Sequence, residues 1–418
     1  MTLLAISRST LSSPTLTTTT PLIVVGLLLL AVCLNHRSIS RPRGAVLGVL
    51  LLGFLLVAAL VLPTIVQSDL QTSAKSLGIG LMWLLALFTG ASLTRTERLH
   101  FLRYFIVIGC LEAVLSIGES LLKLDLVRDL ITGSTSDATY LVRGNVVLGD
   151  WTNRAQGTLG HPIPFAAFIA IALLILLFSG AVESRAVKIP CGLLLATGIA
   201  LSGARSAAAA LAVGFAVYCL SLLISARGNV KADPRLRLAA LATMALAAVG
   251  VFFFARAAVI GDFSLLHRGA VLDATKDLAG LPVLRFIFGS GYNAAPKLYE
   301  AGFLHADGLQ VIDNAVVSEL VVSGVVGVVL LCLLVAFGIR HSSHFGRALI
   351  ATFVAFFFFF DLFSWHAIAF LFFAALGFGN GIGHSTPQAA PLTPKPQESR
   401  SVGNLAAADQ PLTISQDD

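Results

Sequence analysis

Residues 257–327 gather a dense set of side chains that could hold an anion or move a proton. Asp262, His267, Arg268, Asp273, Lys276, Asp277 and Arg285 come first. They are followed by Phe288-Gly289-Ser290-Gly291-Tyr292 and then by His305, Asp307, Asp313 and Asn314. A largely apolar helix containing Gly324 and Gly327 begins directly afterwards. So many charges beside apolar sequence point to a site, since a plain anchor has no use for them. Two arginines elsewhere share this character. Arg205 follows the turn Ser202-Gly203-Ala204 and opens a helix, whose unpaired N–H groups and positive dipole end favour an anion. Arg154 precedes Gly157-Thr158-Leu159-Gly160-His161-Pro162, a turn-rich lead-in to an apolar run. Singly, Arg154, Arg205 and Arg268 each read equally well as an ion-pair or headgroup contact. Together they point to a shared polyanionic ligand.

Asp313 is the first candidate base. It stands where the polar interval becomes apolar, and partial desolvation suits a carboxylate there to take a proton from a hydroxyl. It also reads as an N-cap for the following helix, a position that Asp and Asn both favour, and the two roles are compatible. His305 and Asp307 are the next candidate bases, with Asn314 and Tyr292 as further possible members. His161, Asp361 and His366 read as structural. Gly289-Ser290-Gly291 is a glycine turn without the strand and helix pattern of a dinucleotide fingerprint. The nine histidines show no metal-ligand spacing, so no metal and no cofactor is expected.

The elements that must position these residues are apolar. Of 418 residues 56% are hydrophobic and 12% charged, with a mean hydropathy of +0.88, which sets the class as a polytopic membrane protein. The net charge of +6 therefore encodes orientation in a bilayer and does not imply nucleic acid. Cys33, Cys110, Cys191, Cys219 and Cys332 all fall in apolar runs and read as small buried hydrophobes. A span needs about 20 apolar residues. Candidates lie near 16–34, 44–62, 75–94, 101–122, 163–180, 187–202, 206–225, 237–256, 314–338, 347–362 and 365–382, an all-α bundle of about 11 (10–12) transmembrane helices. The basic residues Arg37, Arg41 and Arg43 follow the first run, which marks it as an uncleaved span.

Alternate short loops are basic, from Arg37/Arg41/Arg43 through Arg95/Arg98/Arg103, Arg185/Lys188 and Arg227/Lys231/Arg235/Arg237 to Arg340/Arg347. This alternation puts the N-terminus outside and the C-terminus in the cytoplasm. The loops 123–162 and 257–313, the second before the ninth span, then face outward together with the turn at Arg205. Residues 1–15 read as a flexible N-terminus, 16–384 as the transmembrane domain, and 385–418, rich in Pro, Gln, Ser, Thr and Ala, as a disordered cytoplasmic tail.

Four pieces of this chain resemble the O-antigen ligase and O-antigen polymerase superfamily of polytopic membrane glycosyltransferases. Arg154-x-x-Gly157-Thr-Leu-Gly160-His-Pro162 is similar to the family's Arg-x-x-Gly-Thr-Phe-Gly-Asn-Pro, and Leu201-Ser-Gly-Ala-Arg205-Ser206 to its Thr-Gly-Ser-Arg-Ser turn. Arg268, followed twenty residues later by Phe288-Gly289-Ser-Gly291, looks like its Arg…Phe-Gly-x-Gly loop. Asp313-Asn314 with Gly324 and Gly327 resembles its His/Asp-Asn…Gly-x-x-Gly segment. The likeness covers about 150–330. It implies a metal-independent, inverting enzyme of the cytoplasmic membrane with a polyprenyl-diphosphate-linked glycan as donor and a glycan hydroxyl as acceptor. Residues matching Arg154, Arg205 and Arg268 would hold the diphosphate, and Asp313 would activate the acceptor. Nucleotide sugars are absent outside the cytoplasm, so a donor there must arrive activated, and guanidinium groups suit a diphosphate leaving group.

The ligase branch typically carries His at the position of Asp313, which favours polymerisation of repeat units over ligation of a finished glycan. Val322 stands where the family often has Glu, and Glu319 lies one turn earlier. A polyprenyl-phosphate-dependent sugar transferase would show an acidic pair in the first outward loop, where this chain has only Asp69. A secondary transporter, the alternative from another class, should show paired broken helices or symmetric halves with charges near the bilayer midplane, whereas the charges here gather at one face. A flippase for the lipid-linked oligosaccharide is the further alternative.

Overall fold

The computed structural model describes residues 44–122, 144–145, 147–226, 263–304 and 311–378. Helix makes up 81% of them. The elements are α1 (Gly44–Gln67), α2 (Leu70–Ser92), α3 (Arg95–Leu122), strands β1 (Gly144–Asn145) and β2 (Gly149–Asn153), and α4 (Pro162–Phe178). There follow α5 (Arg185–Ser202), α6 (Arg205–Ala226), α7 (Phe263–Leu278), α8 (Val283–Phe288) and α9 (Ala295–Glu300). The last are α10 (Ala315–His341), α11 (His344–Phe357) and α12 (His366–Phe378). Six of these helices, α1, α2, α3, α5, α6 and α10, are long and apolar enough to cross a membrane. At three more expected spans the helices are apolar but shorter, with 17, 14 and 13 residues in α4, α11 and α12. The expected spans near 16–34 and 237–256, residues 1–15 and residues 385–418 lie outside the described residues.

Two departures from an all-helical bundle with open loops are found among the described residues. The antiparallel pair β1–β2 sits in the first long polar interval, and the second interval is itself mostly helical. Helices α7 and α9 bury Val271, Ala274, Leu278, Leu298 and Tyr299 against Val317 and Val321 of α10. That interval is therefore a packed cap on the N-terminal part of α10.

Chain connections expected on one side of the bilayer meet one another. Gln67 and Thr64 reach the 289–292 turn, Ser120 reaches Asn153, His161 lies against Trp365, and Ser318 bonds Asp361. At the other end, basic side chains close helix C-termini, where orphan carbonyls and the negative dipole end favour cations. Arg98 donates from Nη1 to Phe378 O (2.9 Å) and from Nη2 to Leu93 O (3.2 Å). Arg103 Nε donates to Ala181 O at 2.7 Å, Lys188 Nζ to Leu177 O at 3.1 Å and Arg347 Nε to Ile339 O at 3.1 Å. Basic residues of the alternate short loops thus terminate helices. Small residues set how closely the spans approach: a Cβ on Gly90 of α2 would fall on the backbone of Ala374 in α12.

Candidate functional site

Arg154 and Arg205 are brought to one turn. The C-terminal end of α5 exposes the carbonyls of Ala200, Leu201 and Ser202, which a helix cannot satisfy internally. The segment 144–155 supplies the missing donors. Asn145 Nδ2 donates to Ala200 O (3.0 Å) and Leu201 O (2.8 Å), Ala155 N to Leu201 O (3.0 Å), and Arg154 Nε to Ser202 O (2.9 Å). Asn145 is itself held, its Oδ1 accepting from Val147 N and Leu148 N. Arg205 begins α6 immediately after this turn, and both arginines are half-buried.

Nothing in the sequence motif foreshadows what lies beneath. Glu119 of α3 accepts from Gln156 N (3.0 Å) and Gly157 N (2.9 Å), and Glu112 accepts from Thr158 N (2.9 Å) and from the Thr158 hydroxyl. Both glutamates are buried. Two acids in an apolar helix are a signal in themselves, since ionisable residues inside spans are costly and functional by default. Their partners, more than thirty residues away, are not readable from that signal.

The Asp313–Asn314 pair resolves into two roles. Asn314 is the N-cap of α10, with extended φ/ψ of −155° and 118°, its side chain accepting from Val316 N (2.9 Å) and Val317 N (3.1 Å). The cap duty open for Asp313 therefore falls to its neighbour, and Asp313 stays half-buried at the junction. Asn314→Ala is expected to lower stability by about 1 kcal/mol, measured as a shift in thermal unfolding of the solubilised protein.

Helix α10 is broken at Gly324, whose φ of 68° and ψ of −166° are non-helical. The Phe288–Gly291 turn fills the break. Ser290 N donates to Val321 O (2.8 Å) and Gly291 N to Val322 O (3.0 Å), in place of the N–H groups that a continuous helix would provide. A Cβ on Gly289 would strike Val322 O, and one on Gly324 would strike Gly289 N and Ile287 O, so both glycines are required by the approach of two backbones. From the other side Gln67 Nε2 donates to Gly289 O (3.2 Å), Tyr292 N donates to Thr64 Oγ1 (2.8 Å), and the Lys75 ammonium lies 5.5 Å from the Tyr292 ring centroid. Two motifs that read separately in the sequence are one interlock. Below it, Glu319 is buried and its carboxylate accepts from Ser323 Oγ.

Contacts connect the two halves of the site. Pro162 starts α4 with His161 as its cap, Nδ1 accepting from Ile163 N at 3.3 Å, and the His161 ring lies 5.7 Å from that of Trp365. Beside Trp365, Asp361 caps a short 3-10 turn and accepts from Ser318 Oγ at 3.0 Å, one turn into α10 from Asn314. His161 and Asp361 thus each cap a helical segment. Asp69 is likewise spent as the N-cap of α2, where the Thr72 hydroxyl and N–H hold its carboxyl below the usual range. Asp273 and Lys276 pair with each other at 2.9 Å in the open, an interaction of little energetic weight. Arg268 lies on α7, which docks on α10, but its side chain is outside the described residues, as are His305 and Asp307. Among the described residues no group of three or more His, Cys, Asp and Glu could hold a metal ion.

No family model, no curated protein and no solved structure matches this chain.

Proposed function

We propose that this protein is a membrane glycosyltransferase. In this reading it joins lipid-linked polysaccharide repeat units on the outer face of the cytoplasmic membrane. The observation that carries the reading is the pinning of residues 145–155 onto the end of α5, which draws Arg154 to the turn that ends in Arg205. Arg154, held to the end of α5, and Arg205, at the start of α6, suit the diphosphate of a polyprenyl-linked donor, with Arg268 of α7 as the third. Asp313, beside the capping Asn314, takes the proton of the acceptor hydroxyl. The hydroxyl oxygen then bonds to the anomeric carbon as the carbon–oxygen bond to the diphosphate breaks, and the electron pair leaves on the diphosphate. Attack from the side opposite the leaving group inverts the anomeric centre. The arginines act by stabilising charge that grows on the leaving group, which is where preorganised donors are most effective.

Transfer of a finished glycan to another acceptor would use the same groups. A lipid-linked oligosaccharide flippase is the second reading, favoured by the break in α10 at Gly324, a feature of transporters. The two classes separate on reconstituted protein given a lipid-diphosphate-linked glycan. A transferase releases polyprenyl diphosphate and makes longer glycan, whereas a flippase moves the lipid unchanged. Arg205→Ala and Arg268→Ala are each expected to reduce transfer about 100-fold at equal protein abundance. Unaltered chain length in both variants would remove the diphosphate reading.

A further inference from the structure

We propose that Glu112 and Glu119 are positioning residues of this site, holding the turn after Arg154 from below so that Arg154 and Arg205 address one ligand. The inference rests on the diphosphate reading and adds residues to it. Both carboxylates lie on one face of α3, seven residues and so two turns apart. They face consecutive N–H groups: Gln156 and Gly157 donate to Glu119, and Thr158 donates to Glu112. A third group of the same helix, Ser120 Oγ, donates to Asn153 O at 3.0 Å, one residue before Arg154. With Ala155 N given to Leu201 O, every N–H from 155 to 158 is engaged within the protein. The glycine-rich turn therefore does not act as a backbone nest for phosphate, and anion recognition passes to side chains.

Geometry also explains the glycine of this motif. Gly157 has a φ of +55°, and a Cβ there would meet the Glu112 carboxylate and the Phe165 ring. At Gly157 the turn is pressed onto α3, where a side chain has no room. Carboxylates suit this duty because they accept only, so convergent N–H groups leave no donor stranded. A buried charge is a costly anchor. Its placement beneath the turn that follows Arg154 suits a site for a charged ligand, whereas a neutral hydroxyl would serve a plain loop.

The test measures farnesyl diphosphate binding to the full chain in nanodiscs, alongside hydrogen exchange of the 155–158 amides. Glu119→Ala and Glu112→Ala are expected to weaken binding about tenfold and to speed exchange of these amides. Glu119→Gln, which keeps an acceptor, recovers part of the affinity and covers the case in which alanine prevents folding. Phe168→Ala is the control: it removes a core ring whose centroid lies 4.5 Å from that of Phe105 and leaves the turn untouched. At a matched loss of thermal stability it is expected to bind as the wild type does. Folded glutamate variants with wild-type affinity, or a control that loses as much, would overturn the positioning role alone. A wild-type protein that ignores farnesyl diphosphate overturns the diphosphate reading and this proposal with it.

Discussion

Asp313→Asn is expected to lower glycan transfer by about 10²–10⁴-fold while the protein folds and binds its donor as before. The substitution keeps the size and shape of the side chain and removes its ability to take a proton. The cap of α10 stays in place, because the adjacent Asn314 makes the capping bonds to Val316 and Val317. That division of labour makes the experiment clean, since a lost cap would confuse an activity change with a stability change. Release of polyprenyl diphosphate in single-turnover reactions reads the chemical step directly, and farnesyl diphosphate affinity reads binding apart from it. Turnover close to wild type in Asp313→Asn would move the base role to another residue, with His305 and Asp307 next to be replaced.

Gly324→Ala is expected to be the most destabilising single-methyl addition in α10, by about 4 kcal/mol. The backbone at Gly324 occupies a region open essentially to glycine alone. Its added Cβ would meet backbone atoms of Ile287 and Gly289, which cannot swing aside as a side chain can. Alanine also favours an unbroken helix. Straightening α10 would hand Val321 O and Val322 O back to the helix ladder and orphan the N–H groups of Ser290 and Gly291. Thermal unfolding followed by size-exclusion chromatography measures the loss. A variant that melts with the wild type would show that the interlock is not needed for the fold.

The elements of this protein were legible where the determining physics is local. A helix crossing hydrocarbon needs a run of apolar residues, so α1, α2, α3, α5, α6 and α10 stand at the expected places. Connections that the alternation of basic loops assigns to one side, such as Gln67 with Gly289 and Ser318 with Asp361, are found in contact. Of the candidate site, Arg154, Arg205 and Asp313 were identifiable by type and position. Asp313 could not be told from Asn314 as the cap, because the two residues have almost equal preference for that position.

What the sequence by itself determined was the set of long apolar helices, with candidate anion-binding residues at their ends. Tertiary structure alone decided that Glu112 and Glu119 lie under the Arg154 turn, that Asn145 closes α5 and that the 288–291 turn enters the break in α10. Each of these is a hydrogen bond between a backbone group that its own element leaves unsatisfied and a partner at least thirty residues away. Sequence reveals that such a group must be paired, because burial without a partner is too costly to persist, but only the folded chain determines which distant donor or acceptor arrives.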